Sequence, residues 1–401
     1  MFKTLILTFI FYGLTACGGG STEEVQEHKS GRLVDNELVA EYSAKSITIQ
    51  GLDAKYAVDV YRVVYETKDV EGNYIDASGI VSVPVKISSS KSPTILYHHG
   101  TIYQNSRAPS EAYQKGASWV LPSYLGFITV APDYIGYGES LGTLHPYLNA
   151  KVTASSSVDL LISAQELLKK LGVFTNDQLF LGGYSQGGGA TLASQRLLEA
   201  EYKDKFSVTA SSAGAGAYAL SQELLDDAQE IVDNYDNFYI TRPSNMGLIL
   251  KAMDNAYQLN SLNDFFKAKY ADVVNTIYDG KHSSVEIDNS LTHKASELIK
   301  KDYLVKLLNG QKQPLINAFK DNDLFDWTPK APTQLFHGRD DDWVRFSHAQ
   351  TAYDQMLANG ATNIQLVECS VANKQPANHA NCFLPYLFSS YQFFLKYATN
   401  L

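Results

Sequence analysis

Residues 178–188 read QLFLGGYSQGG, a short apolar run followed by a serine that stands between glycines. We predict that a buried strand over 178–182 passes into a helix, with Ser185 on the tight turn that joins them. Gly183 and Gly187 lack a Cβ, so strand and helix can approach closely while Ser185 holds a strained backbone conformation. A serine exposed on such a turn is a candidate nucleophile, because a neighbouring histidine could take its proton.

An acidic candidate follows a predicted strand over 333–337, in the segment FHGRDDDWV. Three aspartates compete there, and Asp341 is favoured because Gly338, Asp341 and Val344 have the spacing of a G-x-x-D-x-x-V turn. Asp342 remains the alternative acid. The neighbouring carboxylates also suit a solvated turn or a helix cap, and a calcium site is the weaker interpretation of the cluster.

A histidine candidate, His379, lies in the segment ANHANC, after a predicted strand over 364–368. Its imidazole would accept the proton of the serine, and the carboxylate of the acid would fix the imidazole tautomer. His337 and His348 are alternative bases, although packing at a strand end and capping at a helix start explain them.

Two backbone amides are candidates for stabilising a negatively charged oxygen next to the serine. The segment YHHGT at 97–101 closes a predicted strand and offers one donor, which spacing assigns to Thr101, with Gly100 as the alternative. The amide of Gln186, directly after the serine, is the second. Each well-placed donor stabilises such an oxyanion by on the order of 3 kcal/mol. A glycine-punctuated loop at 132–140 should border the pocket, where Tyr134 could contact a substrate.

Short apolar strands alternate with helices along most of the chain, and one such helix is predicted over 150–171 with Gly172 as its stop. This alternation predicts an α/β fold, a mostly parallel central sheet with helices on both faces. Two runs at 58–65 and 79–85 predict an antiparallel lead-in. The predicted strands of the parallel part span residues 94–98, 127–131, 178–182, 206–211, 333–337 and 364–368.

The alternation stops between residues 221 and 327. We predict an inserted helical cap there, which would roof the site and shape its pocket. The sheet-containing core would then comprise residues 41–220 and 328–401. The predicted cap helices span residues 222–235, 245–257, 262–278 and 291–308.

The first residues predict export. A lysine followed by a short apolar run is typical of a signal peptide over 1–16, since the run is too short to span a bilayer. The sequence LTAC resembles a bacterial lipobox, which implies lipidation of Cys17 and a membrane anchor. Residues 17–40 are predicted to form a flexible tether. An exported protein matures in an oxidising compartment, so we expect a disulfide between Cys369 and Cys382.

The composition excludes some classes of partner. The formal net charge of −10 argues against nucleic acid and against attraction to anionic lipid surfaces. A hydrophobic content of 45% and a charged content of 19% are those of a globular protein. Zinc-type cysteine spacing and phosphate-loop motifs are missing from the sequence.

With these motifs, the chain resembles an α/β-hydrolase of the secretory lipase type, the group of the fungal A-type lipases and many exported bacterial esterases. The resemblance runs from about residue 61 to the carboxyl end and includes the chain order serine, aspartate, histidine. It implies hydrolysis of small-molecule or lipid esters through an acyl-enzyme, without a metal or organic cofactor. The matching segments are YET at 65–67 with Gly79 and Pro84, HGT at 99–101, PDY at 132–134, GYSQG at 183–187, the 338–344 turn and His379 near Cys382.

The sequence leaves two other functions open. The same fold and triad serve serine peptidases that act on short peptides. A surface binding protein on a hydrolase scaffold is the third hypothesis. For the leading hypothesis, the protein would be an exported bacterial lipoprotein of the cell envelope.

Overall fold

The computed structural model describes residues 28–47, 54–87, 89–372 and 375–401. Within these ranges nine strands form one sheet, in the order β1-β2-β3-β5-β4-β6-β7-β8-β9. The strands are β1 (Leu33–Tyr42), β2 (Ala57–Lys68), β3 (Tyr74–Val85), β4 (Lys91–His98), β5 (Ile128–Pro132), β6 (Phe174–Tyr184), β7 (Val208–Gly214), β8 (Thr333–His337) and β9 (Ile364–Glu368).

The sheet is antiparallel at one end and parallel through the rest. β1, β2, β3 and β5 pair antiparallel, whereas β5, β4, β6, β7, β8 and β9 pair parallel in that order. The middle strands are buried on both faces, which explains their continuous apolar runs. The predicted α/β class and the antiparallel lead-in are confirmed.

Helices cover both faces of this sheet. One hydrophobic layer involves α2, α3 and α12, and the opposite layer involves α1 and α13. The helix α2 matches its predicted bounds, because the Asn149 side chain accepts the amide of Val152 at its start and Gly172 takes a left-handed conformation at its end. The helices of the core are α1 (Leu121–Tyr124), α2 (Ala150–Leu171), α3 (Gln186–Glu201), α12 (Ser347–Ala358) and α13 (His379–Leu395).

Between β7 and β8 the described chain contains eight helices that share a hydrophobic core of their own. We call this unit the cap. Its helices are α4 (Leu220–Asp233), α5 (Pro243–Ala256), α6 (Leu262–Phe265), α7 (Ala268–Thr276), α8 (Ser284–Ser290), α9 (Ala295–Leu298), α10 (Lys301–Leu308) and α11 (Gln313–Lys320).

Two of the helices predicted in the cap are broken in the structure. The segment predicted as one helix over 262–278 is interrupted at Phe266, and the segment predicted as one helix over 291–308 is interrupted at Ile299. These two buried residues form an antiparallel bridge, in which Lys267 N donates to the Leu298 carbonyl at 3.0 Å. The pairing of two segments distant in sequence therefore overrides local helix preference.

The predicted tether over 17–40 is wrong at its carboxyl end, because Leu33–Tyr42 form β1. This strand lies at the sheet edge with Leu33 as its one buried residue, so the acidic residues along it are tolerated and its apolar periodicity is weak. The predicted signal peptide and Cys17 lie outside the described residues. Along the described ranges, no helix combines the length and the apolar character that crossing a membrane requires.

Candidate active site

Ser185 occupies the turn between β6 and α3, with φ of 62° and ψ of −124°. Few residues other than glycine adopt this conformation, and the surrounding hydrogen bonds hold it in place, since Ser185 N donates to the Gly214 carbonyl at 2.8 Å. The strained turn presents the serine hydroxyl at the carboxyl edge of the parallel strands, where ligands bind in open α/β sheets.

The glycines around this serine are required by close backbone contacts. A Cβ on Gly187 would lie 2.2 Å from the His98 carbonyl oxygen, and one on Gly183 would lie 2.4 Å from the Gly187 oxygen. Because backbone atoms cannot move aside, any side chain at these positions would push α3 away from β4 and β6. The glycines thus fix where Ser185 stands.

Asp341 lies in the turn after β8, and its side chain is fully buried. One carboxylate oxygen, Oδ1, accepts the amides of Trp343 at 2.9 Å and Val344 at 2.8 Å. The other, Oδ2, lies 2.7 Å from His379 Nδ1 and 3.2 Å from His337 Nε2. Burial alone would raise the pKa of this carboxyl, but the hydrogen bonds from His337 and His379 outweigh it and hold the pKa well below its usual range.

His379 is the first residue of α13, where the Asn378 side chain caps the helix by accepting the Asn381 amide at 3.0 Å. The expected disulfide is present: Cys369, directly after β9, is bonded to Cys382, with the two Cα atoms 6.0 Å apart. Because Cys382 lies one turn after His379, the bridge ties the start of α13 to the end of β9. This covalent link restricts the position of the imidazole.

Both candidate oxyanion donors are near the serine. Gln186 begins α3, so its amide lacks an intrahelical acceptor. A Cβ built on Gly100 would lie 3.7 Å from the Ser185 Cβ, so the 99–101 turn lies against the turn at Ser185. Thr101 lines the same cavity as Ser185, and its hydroxyl contacts the Tyr147 hydroxyl at 2.9 Å.

One contact at this site has no signal in the sequence. The buried side chain of Gln186 donates from Nε2 to His145 Nε2 at 2.8 Å, and His145 Nδ1 donates to the Ile135 carbonyl at 2.8 Å. Burial lowers the pKa of His145 to about 4, so this ring is neutral at neutral pH. His145 therefore orients the residue that carries the second candidate amide.

A cavity of about 820 Å³ extends from these residues into the cap. Ser185, Gln186, Asp341 and His379 line one end. The far end is apolar and formed by side chains of the cap core, namely Ile231, Leu250, Phe265, Leu304 and Phe319. The site therefore lies at the junction of the sheet and the cap.

The alternatives considered for the site residues occupy other positions. His337 lies behind Asp341, with Nε2 2.8 Å from the Val344 carbonyl. His348 contacts the cap residue Glu223 and accepts the Ala219 amide at 2.9 Å. Tyr134 is buried and donates to the His99 carbonyl, so it does not face the cavity.

Asp342 is exposed, and the described residues include no group of three or more histidine, cysteine and acidic side chains that could hold a metal ion. The calcium interpretation of the aspartate cluster therefore finds no support in the structure.

Solved structures share this fold. The rice cell wall degrading esterase LipA from Xanthomonas oryzae superposes with a TM-score of 0.81 at 25% sequence identity, covering 92% of this chain and 99% of that one. Candida antarctica lipase A in its closed state superposes with a TM-score of 0.65 at 16% identity, covering 93% of this chain and 84% of that one. The second likeness concerns the fold alone. Among curated proteins, none matches this sequence.

The family model of the secretory lipases matches residues 119–382, a span from the helix before β5 to the start of α13. It includes the turn at Ser185, the whole cap and the loop after β8. The resemblance expected from the motifs is confirmed. The chain belongs to the secretory lipase family and is a carboxylic ester hydrolase with the α/β-hydrolase fold.

Proposed function

We propose that the protein cleaves carboxylic esters through Ser185, His379 and Asp341. Ser185 Oγ attacks the ester carbonyl while His379 takes its proton, and the amides of Gln186 and Thr101 or Gly100 stabilise the oxyanion. The alcohol leaves with a proton from His379, and a water molecule then releases the acid from the acyl-enzyme. The observation that carries this proposal is the 2.7 Å contact of Asp341 with His379, in a cavity that Ser185 also lines.

The buried carboxylate supports the assigned role of Asp341. Its hydrogen bond with Nδ1 of His379 leaves Nε2 free to accept the serine proton. The low pKa of Asp341 keeps it ionised, so it stabilises the imidazolium that forms when the serine attacks. His337 also faces this carboxylate, and we assign it a positioning role.

The apolar end of the cavity fits an acyl chain. We predict that the kcat/KM for p-nitrophenyl esters rises from acetate to octanoate, because each buried methylene contributes up to about 0.8 kcal/mol, or about fourfold. The measurement is an initial-rate series from acetate to palmitate, with a feruloyl ester included, on protein lacking residues 1–17. A maximum at acetate would contradict an acyl site in the cap. Turnover of aminoacyl-naphthylamides without turnover of any ester would favour the peptidase hypothesis.

We also propose that residues 1–16 are a signal peptide and that Cys17 is lipidated, which would hold the enzyme at the cell envelope. The support is the LTAC motif after a short apolar run. Replacement of the thiol in Cys17→Ser should move the protein from the membrane fraction to the soluble fraction of the envelope, with ester turnover per molecule unchanged. Membrane recovery equal to that of the wild type would contradict a lipid anchor at this cysteine.

A further inference from the structure

A stack of three side chains joins the cap to the candidate base. The Trp343 ring lies 4.8 Å from the His379 ring, at an interplanar angle of 29°. On Trp343 lies the Arg242 guanidinium, 3.5 Å from the ring centroid. Arg242 precedes α5 of the cap and, like Trp343 and His379, lines the cavity. The cap therefore places a positive charge beside the catalytic centre.

This guanidinium differs from the other arginine of the cavity. Arg345 is engaged by the cap carboxylates of Asp227 and Glu230, the second at 3.1 Å. Arg242, in contrast, forms no ion pair and donates no side-chain hydrogen bond to any of the residues that the structure describes. Stacking on Trp343 fixes the plane of the guanidinium and leaves its N–H groups at the edge free to bind a ligand.

None of the four acidic side chains that line the cavity forms an ion pair with Arg242, and Asp341 is hydrogen-bonded to His379 and to the amides of Trp343 and Val344. Glu223 is hydrogen-bonded to His348, and Asp227 contacts Arg345. Burial, followed by repulsion from Glu223, raises the pKa of Asp227 to about 7, so a fraction of it is neutral at neutral pH. Asp342 is exposed, and water screens its field.

The stack also defines which part of an ester Arg242 would meet. A general acid must face the oxygen of the leaving alcohol, so the alcohol part of the substrate lies on the His379 side of the cavity. Trp343 stacks on His379 and Arg242 stacks on Trp343, so both follow directly from the imidazole. The acyl chain would occupy the apolar end of the cavity, which the cap lines.

We propose that Arg242 is the anchor of an anion subsite, and that the preferred substrates are carboxylic esters whose alcohol part carries a carboxylate. The guanidinium binds the two carboxylate oxygens through parallel N–H donors, which is the favoured geometry of this pair. The inference rests on the proposed ester hydrolysis and specifies its substrate class.

The test compares 3-(butyryloxy)benzoate with 3-(butyryloxy)benzamide, an anionic and a neutral ester of matched shape. Both yield the same butyryl-enzyme, so any difference in kcat/KM arises in binding and acylation. We expect the wild type to prefer the benzoate by about 10- to 100-fold, the size of one charge-assisted bidentate contact. The rate at which hydroxide hydrolyses each ester without enzyme is measured as well. The ratio of these two rates corrects the enzymatic ratio for the different reactivity of the two leaving groups. Added salt should weaken the preference for the anion.

Arg242→Gln should bring the ratio of the two kcat/KM values close to one, mostly through KM for the benzoate, while turnover of the benzamide persists. Arg345→Gln is the matched control, because it removes an arginine of the same cavity that is paired with Asp227 and Glu230. This variant should still prefer the benzoate, although the carboxylates left unpaired weaken the preference. A wild-type ratio near one, or an equal loss on both esters in Arg242→Gln, would overturn the subsite. Failure of the wild type to cleave either ester or any p-nitrophenyl ester would instead refute the proposed function.

Discussion

Ser185→Ala is expected to lower kcat for every ester that the wild type cleaves by about a million-fold, the scale found when a serine nucleophile of a triad is removed. Without Oγ no acyl-enzyme can form. The remaining amides and His379 can still bind and polarise the ester, but no side chain is left to attack its carbonyl carbon. The measurement is the initial rate with p-nitrophenyl butyrate. The positive φ of the turn, 62°, is equally strained for alanine, so the substitution should leave the fold unchanged.

Ser207→Ala is the control, because Ser207 is an exposed serine directly before β7. It should keep the wild-type rate and should still react with a fluorophosphonate probe. Ser185→Ala should fail to react with the same probe while showing the circular dichroism and melting temperature of the wild type. Substantial turnover in a folded Ser185→Ala protein would refute the assigned nucleophile.

The sequence predicts those parts of the site whose geometry is local. The turn at Ser185 depends on glycines within two residues of it, and steric exclusion requires them there. The hydrogen bonds from the amides of Trp343 and Val344 to Asp341 likewise form within one turn. Spacing alone therefore favours Asp341 over its neighbours.

The parts that the sequence does not predict depend on contacts between distant segments. His145 and Gln186 are far apart in the chain and meet only because the loop after β5 and the start of α3 lie at the same sheet edge. The stack of Arg242 on Trp343 needs the cap in place over the loop after β8. Neither contact leaves a periodicity or a motif in the sequence, since each joins residues of segments that are far apart in the chain.

Asp341→Asn is expected to lower kcat by about ten-thousand-fold, and to lower stability because the ionised carboxylate is favoured at this buried position. The asparagine oxygen can still accept the amides of Trp343 and Val344, which directs its NH₂ group toward His379. An NH₂ donor at that position needs a lone pair on Nδ1, so the imidazole proton moves to Nε2. In that tautomer His379 cannot accept the proton of Ser185.

Asp342→Asn is the matched control, because it makes the same chemical change at the next residue, on an exposed side chain. We expect its kcat to stay within about twofold of the wild type, since an exposed carboxylate interacts weakly with its surroundings. The measurement is kcat for both variants on the same ester, with the melting temperature of each. A large loss in Asp342→Asn with retained activity in Asp341→Asn would assign the acid to Asp342. In that case the buried Asp341 would serve to shape the turn, and its contact with His379 would orient the ring without supporting proton transfer.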